Sequence, residues 1–295
     1  MNALRWRLKR HQLGREAAAA LADARSLGSP LAPQQTGGSW IPAPPPARPL
    51  EPAAAGPANG AAAATVCTLD HLHFALALAC SIRRHHPDLL LHILVVDGDG
   101  VDLPDFPGSR LLRGSDVGLL ADPYLALKYS ATDLCCAAKP FLLQHVAATS
   151  GAEVVVYLDA DLYLFAPLQQ LLERATRSNF VVFPHTVAPM PQPELHWNRP
   201  TLGQLAWAGV LNAGLFSMRS GEAASRFLET WRDLVTAPGA FLESRGGQTE
   251  QNSFNWIVAF TDDVDVMRDT TYNVAYWNLH ERAIRWTGDG PDGPR

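Results

Sequence analysis

The residue types best suited to chemistry gather at Asp159-Ala160-Asp161. These acids follow Val154-Val155-Val156-Tyr157-Leu158, a β-branched and aromatic run that predicts a strand buried on both faces. In extended backbone an i, i+2 spacing points both carboxylates the same way, about 7 Å apart along the strand. Two acids at the mouth of a buried strand repel each other and resist desolvation unless a cation lies between them. A divalent metal holding a diphosphate is one such cation. The competing reading of a bare Asp-x-Asp is a solvated turn carrying two surface acids. The elements that position the pair decide between the two.

Ala64–Leu69 reads as a first strand ending at Thr68 and Asp70. Leu72–His85 follows with apolar residues at Leu72, Leu76, Ala79 and Ile82, a helical spacing that Pro87 stops. Leu89–Val96 reads as a second strand ending at Asp97, with turn chemistry in Gly98-Asp99-Gly100. After a less regular stretch, Thr132–Thr149 predicts a helix through Leu134, Ala138, Leu142 and Val146, which Pro140 should kink or split. Gly151 ends it, and the strand carrying the acids comes next. Strand, helix, strand, helix, strand is the order of a parallel α/β sheet with right-handed crossovers. In such sheets ligands bind beyond the carboxyl ends of the strands, where Thr68, Asp97, Asp159 and Asp161 fall. Neither a Gly-x-Gly-x-x-Gly after the first strand nor a P-loop sequence is present, which argues against a dinucleotide fold and a P-loop enzyme.

Further along, Pro167–Thr176 predicts a short helix, Phe180–Phe183 a strand, and the proline-rich Val187–Pro200 a long irregular loop of the binding or lid type. Val210–Met218 predicts a strand broken by Asn212-Ala213-Gly214. Glu222–Val235 and Gly247–Ala259 read as helices, and Val264–Met267 as a strand.

The bulk numbers agree with a globular chain. Its 295 residues are 47% hydrophobic with a net charge of −5, so nothing points to a nucleic-acid partner. Cys67, Cys80, Cys135 and Cys136 form no CxxC pair and read as buried thiols of a reducing, cytoplasmic compartment. No apolar run approaches the ~18–20 residues that span a bilayer. Residues 1–60 read as a low-complexity tail, because Pro, Ala and Gly from Gly28 to Gly60 cannot repay their ordering entropy. Its basic start (Arg5, Arg7, Lys9, Arg10, Arg15) leaves open a weak, peripheral association with an anionic inner membrane face, a solvated tail being the alternative. Residues 61–287 form the expected catalytic domain, and 288–295 a flexible tail.

The ordered set resembles nucleotide-sugar transferases of the GT-A fold, nearest to glycogenin-like family 8 glycosyltransferases and related bacterial sugar transferases. The matching pieces are Thr68, Asp97, Lys139 in Ala137-Ala138-Lys139-Pro140, Tyr157-Leu158-Asp159-Ala160-Asp161, Leu211-Asn212-Ala213-Gly214-Leu215, Glu250-Gln251 with Phe254-Asn255, and Tyr272-Asn273-Val274-Ala275-Tyr276-Trp277-Asn278. They cover roughly residues 62–282. The resemblance implies a mostly parallel, Rossmann-like sheet flanked by helices, and transfer of a sugar from a nucleotide-diphosphate donor, a UDP-sugar above all, to a glycan or lipid-linked acceptor of polysaccharide biosynthesis. It implies retention at the anomeric carbon. Asp159 and Asp161 would hold Mn²⁺ or Mg²⁺, hard cations suited to carboxylate and phosphate oxygens, and Asp159 would also reach the ribose. Thr68 and Asp97 would contact base and ribose, and Lys139 the donor phosphates or sugar. Asn212 would bond sugar hydroxyls, Gly214 would let the backbone approach the donor closely, Glu250 would orient the sugar, and Gln251 would lie near the anomeric carbon.

Two features depart from the family. Glu250 stands where the family usually has Asp. The third metal ligand, a late histidine in the family, has no match, since His280 in Asn278-Leu279-His280-Glu281-Arg282 sits in a different setting. Water at the third position or a missing carboxyl-terminal segment is the expectation. Trp197, Trp207 and Trp277 could stack on acceptor sugars or anchor loops. An alternative function is a nucleotide-sugar or glycan-binding protein without catalysis. An aspartate-based phosphatase fits poorly, because Tyr163 stands where it needs Thr or Val and two strands precede the motif.

Overall fold

The computed structural model describes residues 60–121, 125, 129–188, 202–237, 249–282 and 284. The basic amino terminus, the Pro/Ala/Gly stretch, most of the proline-rich loop with Trp197, the Trp207 side chain and the carboxyl-terminal tail lie outside the described residues.

Seven strands form one sheet: β1 (Ala61–Cys67), β2 (Leu91–Val95), β3 (Ser109–Arg113), β4 (Val154–Leu158), β5 (Phe180–Pro184), β6 (Leu211–Arg219) and β7 (Val264–Val266), in the order β3-β2-β1-β4-β6-β5-β7. The pairs β3/β2, β2/β1, β1/β4 and β5/β7 are parallel, while β6 runs antiparallel to both β4 and β5. The result is a mixed, mostly parallel α/β sheet. From β1 the chain winds outward to β2 and β3, then returns to lay β4 on the other side of β1. That reversal is the switch point at which open α/β sheets bind ligands.

All five residues of β4 are buried, as its β-branched run requires. Its odd positions face a layer made by α2 (Ala131–Thr149), α5 (Glu222–Thr236) and α6 (Thr249–Val258). Its even positions face α1 (Leu72–His85) and α3 (Gln169–Ala175). The short α4 (Leu202–Ala208) leads into β6. Helix α5 buries Ala224, Phe227, Leu228, Trp231 and Val235, an i, i+3, i+4, i+7 stripe that packs Phe227 and Trp231 against Phe254 and, through Trp231, against Phe216 of β6. Ser130 caps α2 by accepting from the Asp133 N–H.

Several expectations are corrected. Pro140 does not split helix α2, which continues from Ala131 to Thr149: nine residues from Leu134 to Val146 are buried, so packing holds the helix together across the missing N–H. Strand β6 is continuous through Asn212-Ala213-Gly214. Its irregularity is a register shift against β5, where Val182 pairs with Phe216 and Phe183 with Asn212. The less regular stretch contains an edge strand, β3, whose Ser-Arg-Leu-Leu-Arg sequence hides it from a periodicity reading. Among the described residues, no helix is long and apolar enough to cross a membrane, and the four cysteines are unbridged.

Candidate functional site

Strand β4 ends at Leu158, so the two acids lie in the turn that follows it and not together along one extended strand. Asp159-Ala160-Asp161-Leu162 is a turn closed by the Leu162 N–H on the Asp159 carbonyl at 3.1 Å. The turn, and not strand alternation, brings the carboxylates into each other's field. Burial first, and the Asp159 charge second, raise the Asp161 carboxyl above its ordinary range.

Asp159 continues the odd face of β4, on which Tyr157 lies two residues earlier. Its backbone N–H donates to the Gly214 carbonyl at 2.8 Å. Its Oδ1 accepts from the Tyr157 hydroxyl at 3.0 Å and meets Lys139 Nζ at 3.2 Å. Burial pushes the Tyr157 phenol well above its usual range, so it stays a donor. Lys139 reaches up from α2, 6% exposed at its side chain, and also bonds Glu250 Oε1 at 2.9 Å and the Ala213 carbonyl at 3.3 Å. Burial opposes the lysine charge, but Asp159 and then Glu250 more than reverse this, and the ammonium is held well above the ordinary lysine range. Glu250 opens α6 and is itself buried. The structure therefore places Lys139 and Glu250 beneath the carboxylate pair, as a charged platform under Asp159.

Strand β6 extends past the end of β4, whose last residue, Leu158, pairs with Leu215. Past the Asp159 N–H on the Gly214 carbonyl, the edge of β6 is satisfied by side chains. Gln251 accepts from the Ala213 N–H at 3.3 Å and donates to the Ala208 carbonyl at 2.8 Å. Asn255 accepts from the Leu211 N–H at 2.7 Å and donates to the Leu211 and Gln251 carbonyls, each at 2.8 Å. Asn212 Oδ1 takes the Gly214 N–H at 2.8 Å, and its amide donates to Asn273 Oδ1 at 2.9 Å. Asn273 passes this link to Asn278, which donates to the Asn273 and His185 carbonyls. Gly214 needs its missing side chain, because a Cβ there would overlap Asp159 Oδ2.

Thr68 and Asp97 lie at the adjoining strand ends. Asp97 Oδ1 accepts from the Leu69 N–H at 2.7 Å, tying β2 to the loop after β1. The Thr68 hydroxyl donates to Asp70 and lies 3.0 Å from His71 Nδ1. The structure thus gathers Lys139, Asp159, Asn212, Gly214, Glu250 and Gln251 into one network, with Thr68 and Asp97 as a second group on the same edge. Tyr157, Asn273 and Asn278 were legible only as parts of motifs, with no role attached. Trp277 packs against His185 and Tyr276.

The donor chemistry suits a hard divalent cation. Asp159 Oδ2 accepts no hydrogen bond among the described residues, and Asp161 offers a second carboxylate whose proton affinity is raised by its neighbour. Two carboxylates suffice where substrate phosphates and water complete the shell. Among the described residues, no third His, Cys, Asp or Glu joins them in a cluster. A cavity of about 470 Å³ lined by Gln170, Glu173, Arg174 and Asp265 lies at the amino-terminal ends of β5 and β7, away from this edge.

No family profile and no curated protein matches the chain. Among solved structures, the glycosyltransferase GlyE of Streptococcus pneumoniae TIGR4 is similar at 16% identity, with a TM-score of 0.42 over 72% of this chain and 46% of that one. The chain thus spans less than half the length of GlyE. The galactosyltransferase LgtC, solved with donor and acceptor sugar analogues, is similar at 16% identity and a TM-score of 0.39, covering 70% of this chain and 72% of LgtC. A glycosyltransferase involved in glycosylation of the major capsid of PBCV-1 is similar at 9% identity and a TM-score of 0.43, over 71% of this chain and 82% of that one.

Proposed function

We propose that this chain is a metal-dependent glycosyltransferase, moving a sugar from a nucleotide-diphosphate donor, a UDP-sugar in the first instance, to a glycan or lipid-linked acceptor. The observation that carries the reading is a carboxylate pair at the switch point of the sheet, one member clamped from below by a buried lysine and turned so that one oxygen is uncommitted. Asp159 and Asp161 would hold Mn²⁺ or Mg²⁺. Bound there with the donor, the cation would act as a Lewis acid toward the departing diphosphate. Lys139 and Tyr157 fix Asp159, so the ligand is preorganised and costs little reorganisation when charge develops. Gly214 and Asn212 keep the backbone of β6 flat against the carboxylate, leaving room for the donor. Glu250 balances Lys139, and Gln251 holds β6 at the edge where the sugar would rest. Retention at the anomeric carbon belongs to the same proposal.

Incubation with a panel of nucleotide sugars and Mn²⁺ should release a nucleoside diphosphate from one of them. Asp161→Asn and chelation should each abolish that release, and full turnover under EDTA would remove the metal from the mechanism. A thermal shift with UDP and Mn²⁺, without transfer or donor hydrolysis across the panel, would leave a binding protein in place of an enzyme.

A further inference from the structure

Tyr157 is 1% exposed and stacks on Phe216, ring centroids 5.4 Å apart. Phenylalanine would fill the same space without bringing a hydroxyl into a dry region. A buried hydroxyl is tolerated when it is bonded, and this one bonds Asp159 Oδ1. Lys139 Nζ meets the same oxygen while lying 5.0 Å from the centre of the Tyr157 ring. Both inward bonds of the carboxylate therefore fall on Oδ1. Oδ2 is turned toward Gly214, where only the absence of a Cβ leaves it room.

We propose that Tyr157 is a positioning residue: with Lys139 it locks Asp159 in the rotamer that presents Oδ2 to a hard divalent cation, and Gly214 keeps that oxygen accessible. The inference rests on the reading of Asp159 as a metal ligand. A carboxylate bonded by one oxygen and coordinating by the other is fixed in direction, and outer partners of this kind typically change metal affinity by about 10–100-fold.

The test is Mn²⁺ affinity of the full chain in the presence of UDP, read by the electron paramagnetic resonance signal of free Mn²⁺, with unfolding followed separately. Asp159→Asn should lose Mn²⁺ binding. Tyr157→Phe should keep the fold and weaken Mn²⁺ about 10-fold or more. Gly214→Ala, whose Cβ displaces Oδ2, should weaken it at least as much. A residue that only fills the core would change the melting temperature without moving the affinity of the folded protein. Unchanged Mn²⁺ affinity in Asp159→Asn would defeat the metal reading itself, and this inference with it. Loss in Asp159→Asn alongside wild-type affinity in folded Tyr157→Phe would overturn the positioning role alone. Should Tyr157→Phe not fold, Gly214→Ala decides: wild-type affinity there overturns the assignment of Oδ2, and a loss supports it.

Discussion

Lys139 is the residue on which the arrangement turns. A lysine side chain 6% exposed is stable only because two carboxylates and a carbonyl surround its ammonium. Removing it leaves Glu250, 7% exposed at its side chain, as a charge without its partner. Breaking a buried pair from one side costs about 3–5 kcal/mol, whereas removing both partners is often close to neutral. Lys139→Met should therefore destabilise the protein by about 3–5 kcal/mol in urea unfolding, and adding Glu250→Gln should recover most of that loss. Equal stability of the single and double variants would show that the two charges do not depend on each other. On the proposed function, the double variant should still transfer sugar poorly, since Asp159 loses one of the two bonds that orient it.

At the scale of elements, the site exists because β6 is longer than the neighbour it pairs with. Beyond Leu158 the Asp159 N–H still reaches the Gly214 carbonyl, but nothing in β4 meets the backbone of Leu211 and Ala213, and α6 supplies side chains in its place. Asn255 does for Leu211 what a neighbouring strand would do, offering an acceptor and a donor at strand-like spacing. Gly209, at φ 99°, comes so close to the Asn255 amide that no Cβ could lie between them. Asn255→Ala strips both backbone groups of Leu211 of their partner. At about 1–3 kcal/mol for a group left unsatisfied, the variant should lose stability on that order, and the Leu211 amide should exchange its hydrogen faster. Unchanged protection at Leu211 would mean that water replaces the side chain without loss.

The same elements show what a sequence can and cannot disclose. Strand β4, helix α1 and helix α5 follow from local pattern: a β-branched run, an apolar stripe and its stop at Pro87, an i, i+3, i+4 face. The acids, Lys139 and Glu250-Gln251 were visible as residue types in the right order. Their relation was not. That Lys139 lies under Asp159, and that Glu250 answers it, depends on how α2 and α6 cross the sheet. That Asn212-Ala213-Gly214 forms a shifted register within a strand, and not a break, depends on pairing with β5. Strand β3 escaped because an edge strand with two arginines lacks the apolar run that betrays a central one.

Across the whole molecule, the sheet separates two cores, and the layer under α2 contains a histidine that no part of the site uses. His92 of β2 is 2% exposed, and among the described residues neither ring nitrogen has a hydrogen-bond partner. Arg110, its register partner on β3, and His145 of α2 lie in its field. Burial first, then Arg110 and the neighbouring His145, push its pKa down from the ordinary 6.5 to about 4. The unfolded chain therefore takes up this proton before the folded one does. Above pH 6.5 neither state binds it, and His92 leaves stability independent of pH. Between pH 6.5 and about 4 the unfolded state gains the proton alone, so stability falls as the pH falls. A shift of this size corresponds to about 3 kcal/mol at the lower end of the window. Chemical unfolding followed from pH 7 to pH 4 should show that decline, and His92→Leu, which fills the site without a titrating group, should lessen it, while His86 and His185, whose pKa values burial also lowers, keep part of the slope. A slope unchanged in His92→Leu would assign the acid sensitivity to those other groups.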